Sequence, residues 1–209
     1  MAGVLLIEKY ANKYGKSDYA IILFYNLDKE VYEDPGGHLM TGMSVQESAI
    51  TELIEESCNL FRLSPFMLNQ YVVHKNFHSF PLYVKGPIDI YGNNPIYSKY
   101  YHHNRKIIHN SRAPHMYKET DNMRRFYISD LVNSGLFFNR GTVVCPDANG
   151  HVRKISSRTV GILKMLFYDG LVSIENGFIF VNILPLYLNI NYEYLSSDKP
   201  FLNGTIDYF

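Results

Sequence analysis

The sequence predicts an α+β fold in one domain, built as a mixed β-sheet with helices packed on it. Two observations lead to this prediction. Runs of β-branched and aromatic residues typical of strands dominate the first third of the chain, and two later segments with helical periodicity each begin at a serine. Hydrophobic residues make up 46% of the 209 residues, which suffices for one sizeable core. We therefore expect a single domain over 1–209, with an insert at about 85–118 and a C-terminal extension from about 170.

The predicted strands are apolar or aromatic runs that end at polar turns. Residues 3–10 and 19–26 predict the first two, and 30–39 predict a short strand that enters a loop. The strand pattern returns at 66–86. Residues 124–132 predict a strand that continues into a turn or a short helix.

Two helices are predicted from their start signals and their period. Ser44 and Glu47 have the spacing of a capping box, and the pattern that follows predicts a helix from about 45 to 58. A serine also opens the second helix, at 156–168. Between them, residues 85–118 show no clear period, and a loop of that length is either functional or disordered.

Charge and cysteine content limit where the protein acts. Lys plus Arg and Asp plus Glu number 20 each, so no overall charge draws the chain to nucleic acid or a membrane. Cys58 and Cys145 are too far apart for a metal or redox motif, which favours a reduced, cytoplasmic protein. The N-terminus does not resemble a signal peptide, and the apolar stretch 177–190 falls short of the roughly 20 residues of a membrane helix. Eighteen Asn and 18 Tyr are typical of an AT-rich coding sequence, as in many viruses.

Three glutamates of the first predicted helix form an acidic stripe. Glu55 and Glu56 follow Glu52 by three and four positions, so at about 100° per residue all three share one face. Like charges at this spacing repel one another unless a cation lies among them. Carboxylate oxygens suit Mg²⁺ or Mn²⁺ better than zinc. The other interpretation is an ordinary solvated helix face, since Glu is a good helix former.

The stretch from 36 to 60 resembles the Nudix box. The usual form of that motif is Gly, five residues, Glu, seven residues, Arg-Glu, an aliphatic residue, any residue, Glu-Glu, any residue, Gly and an aliphatic residue. With Gly37 on the first Gly, the residues Glu52, Leu53, Glu55 and Glu56 fall in register without a gap. The resemblance implies a Nudix-like α/β/α sandwich with a mixed sheet.

Three positions depart from the motif. Met43 stands where the family has its first Glu, and Thr51 where it has its Arg; in the family these two residues pair. Loss of one partner would strand a charge at a cost of about 3–5 kcal/mol, whereas loss of both is close to neutral. The closing Gly is also replaced, and we expect one extra helical residue at Cys58 with Asn59 as a left-handed cap.

The resemblance implies a metal-dependent pyrophosphate hydrolase. Nudix enzymes hydrolyse a pyrophosphate linkage in a nucleoside diphosphate joined to another group, with Mg²⁺ or Mn²⁺ held by carboxylates. Carried over residue by residue, Glu55 and Glu56 are metal ligands, Gly37 offers its carbonyl, and Glu52 is a ligand or the catalytic base. A further catalytic carboxylate often comes from a later loop, where the candidates are Glu119 and Asp121; an uninvolved loop carboxylate is the alternative.

The insert at 85–118 is the candidate substrate-binding segment. Its basic residues outnumber its single acid, Asp89, and alternate with Tyr and His; they are Lys85, Lys99, Arg105, Lys106, Arg112 and Lys118. Such a segment can hold phosphates and stack a base, although a solvated loop has the same composition. The predicted substrate-binding residues are His38, Arg105, Lys106 and Arg112.

The partners expected from this interpretation are a phosphorylated small molecule or a nucleotide, with capped RNA as one candidate. No membrane partner is expected, and a homodimer is left open. The competing functional class is a Nudix-fold module that has weakened or lost catalysis and binds a nucleotide, RNA or a protein. Met43 and Thr51 favour that class. A third interpretation is an unrelated globular protein with an acidic helix.

Overall fold

The computed structural model describes residues 1–12, 14–61, 63–85 and 97–187. Its strands are β1 (Ala2–Ala11), β2 (Ser17–Asn26), β3 (Val31–Glu33), β4 (Gly36–Gly37), β5 (Val72–His74), β6 (Phe77–Lys85), β7 (Thr120–Tyr127), β8 (Val143–Pro146), β9 (Val152–Ile155), β10 (Val172–Glu175), β11 (Phe178–Val181) and β12 (Pro185–Tyr187). Its α-helices are α1 (Val45–Glu56), α2 (Tyr97–His109), α3 (Ile128–Asn133) and α4 (Ser157–Tyr168), and short 3-10 helices lie at Pro65–Met67 and His115–Lys118.

Ten of the described strands form one mixed sheet. Its path runs β12, β6, β1, β2, β3, β9, β8, while β4, β5 and β7 pair with β1, β6 and β2. The central strand β1 lies antiparallel to β2 and parallel to β6. Strands β10 and β11 form a separate hairpin. This mixture of helices with parallel and antiparallel strands confirms the predicted α+β class.

Helices cover both faces of the sheet because alternate residues of β1 point in opposite directions. Leu6 packs in a core with Leu53 of α1, whereas its neighbour Leu5 packs in a second core with Leu163 of α4. All four side chains are fully buried. Since β1 has apolar residues on both sides, its sequence is a continuous apolar run rather than an alternating one.

The insert is not a structureless loop, which corrects the prediction for 85–118. Helix α2 begins at Tyr97 and packs through Tyr101, Asn104 and Ile108, each at most 1% exposed. These three positions have helical spacing, but the polar Asn104 breaks the apolar pattern. Its side-chain amide nitrogen donates to the Cys58 carbonyl at 3.0 Å, which gives this nitrogen a partner inside the core.

The structure also defines two other predicted segments, the strand expected from 66 and the C-terminal extension. The chain forms a 3-10 helix at Pro65–Met67 and returns to strand only at Val72, later than the predicted start at 66. The C-terminal extension packs on the domain as far as residue 187: β12 joins the edge of the sheet beside β6, and Val172 and Ile179 of the hairpin enter the second core. Residues 86–96, including Asp89, and 188–209 lie outside the described part. No described helix is long and apolar enough to cross a membrane.

Candidate active site

Helix α1 begins with the predicted capping box. The Ser44 amide donates to the Glu47 carboxylate at 2.7 Å, and the Glu47 amide donates to the Ser44 hydroxyl at 3.2 Å. These two bonds satisfy backbone donors that the first turn of a helix leaves free. Glu47 therefore stabilises the start of the helix and does not join the other three glutamates.

The apolar face of α1 fixes where those three glutamates lie. Ala49 and Leu53 are fully buried against the sheet, so the adjoining stripe is held at the border between the core and solvent. Glu55 and Glu56 are only 6% and 4% exposed, and Glu52 is half-buried. The acidic stripe is therefore not an ordinary solvated helix face.

Burial and mutual repulsion make these carboxylates hard to ionise. Burial, together with the charge of Glu119, raises the pKa of Glu52 to about 7. Burial, together with the charges of Glu52 and Glu119, likewise raises the pKa of Glu55 to about 7. Burial raises the pKa of Glu56 well above its ordinary value, although the charge of Arg158 opposes this. Glu119 thus lies within electrostatic reach of Glu52 and Glu55, where the sequence predicted a fourth carboxylate.

Gly37 lets the Glu52 carboxylate pack directly against the backbone of β4. A Cβ atom at Gly37 would lie 2.7 Å from Oε2 of Glu52 and closer still to Oε1, so any larger residue would overlap the carboxylate. The Gly36 amide next to it donates to Oε1 of Glu56 at 3.2 Å. The Gly-Gly pair therefore joins the loop before α1 to two of the three glutamates.

Gly37→Ala is expected to displace Glu52 and to weaken Mn²⁺ binding at least about tenfold, an effect comparable to losing a partner that orients a metal ligand. Gly141→Ala is the matched control, because a Cβ there meets nothing within 4 Å and should change neither metal affinity nor stability. Isothermal titration with MnCl₂ measures both variants. Equal affinity in Gly37→Ala and the parent chain would show that the position of Glu52 does not matter for metal.

Arg158, from the first turn of α4, holds the loop between β3 and β4. Its Nη1 donates to the Gly36 carbonyl at 2.8 Å, and its Nη2 donates to the Asp34 carbonyl. Its Nε lies 3.5 Å from the Asp34 carboxylate, and its guanidinium stacks 4.7 Å from the centre of the Phe77 ring. The two main-chain bonds fix the segment that leads into Gly37.

Sequence reasoning missed Arg158, although one signal was present. A cation in the first turn of a helix opposes the helix dipole, so Arg at this position indicates a nearby acidic partner. That partner is Asp34, which is fully buried and accepts a 2.5 Å hydrogen bond from the Thr159 hydroxyl. Burial raises the pKa of Asp34, and the Arg158 charge opposes this rise.

Met43 and Thr51 still meet, although neither can form an ion pair. The Thr51 hydroxyl lies 3.9 Å from the Met43 sulfur and donates to the Glu47 carbonyl at 3.0 Å. The two residues that differ from the motif are therefore neighbours in the structure. No buried charge is stranded between them.

The end of α1 corrects one detail of the prediction. The helix ends at Glu56, and Cys58 does not extend it: both Cys58 and Asn59 have left-handed backbone angles, with φ of 53° and 60°. The Asn59 amide donates back to the Ile54 carbonyl at 2.8 Å. Asn59 is the left-handed residue that was expected, while Cys58 adopts the conformation that a Gly would accept without strain.

The predicted residues of the insert lie in different surroundings. Asp121, a candidate carboxylate, and Arg105, a predicted substrate-binding residue, form an ion pair with each other. The side chains of His38, Lys106 and Arg112 are exposed. Those of Lys85 and Lys99 lie outside the described part.

Tyr117 shows that one part of the insert does reach the acidic stripe. Burial raises the pKa of Tyr117, and the charge of Glu55 raises it further. The 3-10 helix His115–Lys118 thus lies beside α1 and leads directly to Glu119. Because Glu119 directly follows this 3-10 helix, the segment brings the Glu119 carboxylate close to the acidic stripe of α1.

Comparison with known proteins leaves the site to be interpreted from its own residues. No model of a known protein family matches the chain, and no curated protein matches it. Among the described residues, no group of three or more His, Cys, Asp or Glu side chains is already arranged as a metal site. The carboxylates of Glu52, Glu55 and Glu119 lie close enough for their charges to interact, but they do not have the close spacing of metal ligands.

Proposed function

We propose that this chain is a Nudix-type pyrophosphohydrolase that depends on Mg²⁺ or Mn²⁺. The observation that carries the proposal is the approach of Glu119 to Glu52 and Glu55 of α1: the charge of Glu119 raises the pKa of both helix carboxyls, and Glu52 itself packs on the Gly37 backbone. A fold gains no stability from such repulsion. A bound dication removes it, so the cluster is best explained by a cation that the metal-free chain lacks.

The residues present fit a hard divalent ion. Carboxylate and carbonyl oxygens are the ligands that Mg²⁺ and Mn²⁺ prefer. Oε2 of Glu56 is buried and accepts no hydrogen bond from the described residues, which leaves an oxygen for a ligand role. In the proposed site, Glu55 and Glu56 would hold the ion together with the Gly37 carbonyl, and Glu52 would be either a further ligand or the base.

The chemistry follows from these positions. When bound, the metal neutralises the pyrophosphate and activates water for attack on phosphorus. With a pKa of about 7, Glu52 can accept the proton of that water at neutral pH. Glu119, whose charge acts on Glu52, is the second candidate for this step because of its position. Arg158 positions the Gly36–Gly37 backbone against Glu52 and Glu56 without contacting the substrate itself.

The contact between Met43 and Thr51 favours a second candidate function. A neutral pair here leaves Glu52 without an orienting guanidinium on its own helix, and a Nudix-fold module that binds a nucleotide, RNA or a protein needs no such group. Arg158 replaces part of the missing guanidinium charge, because it acts on Glu52 from α4 and lowers the pKa of that carboxyl against the effect of burial. The two functions differ in turnover.

The test is phosphate-product release from a panel of nucleotide sugars, ADP-ribose, dinucleoside polyphosphates, diphosphoinositols and capped RNA, with Mg²⁺, Mn²⁺ or chelator. Cleavage of any member that stops with chelator would support the hydrolase. A folded chain that binds Mn²⁺ but cleaves no member would favour the binding module.

The raised pKa values predict how pH acts on stability. Glu52 and Glu55 bind protons more tightly in the folded chain than in the unfolded chain, so the metal-free fold should lose stability as pH rises from about 5 to 8. The loss should be on the order of 2 kcal/mol after allowance for solvent screening. Urea unfolding at pH 5 and pH 8 measures it, and saturating Mg²⁺ should reduce it.

The same groups predict proton release on metal binding. Glu52 and Glu55 are each about half protonated at pH 7, so these two carboxyls should release about one proton on binding, and Glu56, whose pKa is also raised, adds to this number. Titration calorimetry in buffers of different ionisation enthalpy counts the protons. Binding that releases none, or a pH dependence that Mg²⁺ leaves unchanged, would mean that these glutamates do not hold the ion.

A further inference from the structure

A cleft of about 360 Å³ opens on the side of the sheet that carries Tyr25 and Tyr32. Its lining comes from four neighbouring strands: β2 and β3 lie in the middle, with β7 on one side and β9 on the other. The volume is within the range of small-molecule sites, which is about 300–1,000 Å³. Tyr25 and Tyr32 pack in the second core, whereas α1 packs in the first, so this cleft is distinct from the acidic stripe.

The cleft has an excess of positive charge. Arg153 and Lys154 line it from β9, and Asp121 is the acidic residue among its lining side chains. That acid is already paired with Arg105. The charges of the two β9 residues are therefore not balanced by the lining of the cleft itself.

A buried acid behind the cleft does not cancel this charge. The Asp147 carboxylate is fully buried and lies 3.5 Å from Nε of Arg153 and 3.7 Å from Nε of Arg124. One carboxylate is thus shared between two guanidiniums, and Lys154 adds a third cation. The Arg153 side chain remains 35% exposed beside the cleft. In and behind the cleft there are two carboxylates and four cations, so this part of the surface attracts an anion. The carboxylates are Asp121 and Asp147, and the cations are Arg105, Arg124, Arg153 and Lys154.

An aromatic surface lies beside these cations. The rings of Tyr25 and Tyr32 are 5.1 Å apart at 52°, and Tyr32 in turn packs on Phe126. Tyr32 is 4% exposed and fixes the position of Tyr25, whose ring is only partly buried. A rigid, partly exposed ring is a platform on which a nucleobase can stack.

We propose that this cleft binds a mononucleotide, with its phosphate on Arg153 and its base against Tyr25. Arg153 shares the sheet face of Tyr32, and Lys154, the next residue of β9, adds positive charge at the edge of the cleft. The combination of cations and an aromatic ring in one cleft selects a ligand that is both anionic and planar. This site is separate from the proposed hydrolytic site and requires no metal, so it does not depend on the proposed hydrolysis.

The test is binding of AMP, adenosine and inorganic phosphate to the full chain in EDTA, followed by two-dimensional NMR. AMP should bind more tightly than either of its parts. Arg153→Gln with Lys154→Gln should weaken AMP at least about tenfold, because a charge-assisted contact from Arg153 and the nearby charge of Lys154 are both lost. The matched control, Lys9→Gln with Lys75→Gln, removes the same charge from exposed positions and should bind AMP as the parent chain does.

Tyr25→Leu separates the aromatic contribution from the charges. It should weaken AMP about fivefold or more through lost stacking and leave inorganic phosphate unchanged. Equal AMP affinity in the parent chain and the β9 double variant would overturn the proposal. Loss of AMP binding in Glu52→Gln would also overturn the proposal, since that result would place the nucleotide at the acidic stripe. These expectations do not depend on whether the chain hydrolyses any substrate.

Discussion

Replacing Glu52 with glutamine is expected to abolish metal-dependent hydrolysis and, at the same time, to stabilise the metal-free fold. Glutamine has nearly the same shape but no charge, so it removes the repulsion among Glu52, Glu55 and Glu119. It also removes a metal ligand or the base. Loss of a positioned base costs about 10²- to 10⁴-fold in rate, and loss of one electrostatic stabiliser costs about 10²- to 10³-fold.

The opposite signs of the two effects make this variant informative. A substitution that merely damages the fold would lower both activity and stability. At pH 8 in chelator, Glu52→Gln should raise the midpoint of thermal unfolding by about 2–4 °C, which corresponds to about 1 kcal/mol in a chain of this length. Turnover on the cleaved substrate and calorimetric unfolding provide the two measurements.

Glu47→Gln is the matched control on the same helix. Glutamine also accepts a hydrogen bond from the Ser44 amide, so the capping box survives, and Glu47 lies apart from the other glutamates. This variant should keep full activity. Full activity in Glu52→Gln as well would remove Glu52 from the proposed site.

The parts of this site that the sequence predicts are those set by local interactions. The capping box fixes the start of α1, and the 3.6-residue period fixes which face Glu52, Glu55 and Glu56 share. Glu119 is a candidate from the sequence because it directly precedes the strand β7. In each case the information lies within a few residues of the feature.

The parts that the sequence does not predict depend on distant contacts. Asn104 is a polar residue inside the face of α2 that packs on the core, and only its bond to the Cys58 carbonyl explains it. The ion pair between Arg105 and Asp121 joins α2 to β7, so the composition of the insert does not reveal it. Arg158 reaches a carbonyl 122 positions away along the chain. A periodic pattern contains no information about such pairs.

Arg158 should therefore prove to be among the most important residues for stability. Asp34 and Glu56 are 0% and 4% exposed, and the Arg158 charge lowers the pKa of both carboxyls against the effect of burial. Arg158→Met keeps much of the side-chain volume but leaves buried carboxylates without a cation. Removing one partner of a buried ion pair costs about 3–5 kcal/mol, and we expect a loss of that size at pH 8.

The cause of the loss can be identified by pH and by a second substitution. Without Arg158, the carboxyls of Asp34 and Glu56 bind protons at still higher pH, so the deficit should shrink as pH falls from 8 to 5. Asp34→Asn should destabilise the parent chain but rescue part of the deficit of Arg158→Met, which a double-mutant cycle by urea unfolding measures. Arg140→Met, at an exposed position, should cost little. A deficit that neither low pH nor Asp34→Asn reduces would mean that Arg158 acts through its main-chain bonds and its packing on Phe77, and not through its charge.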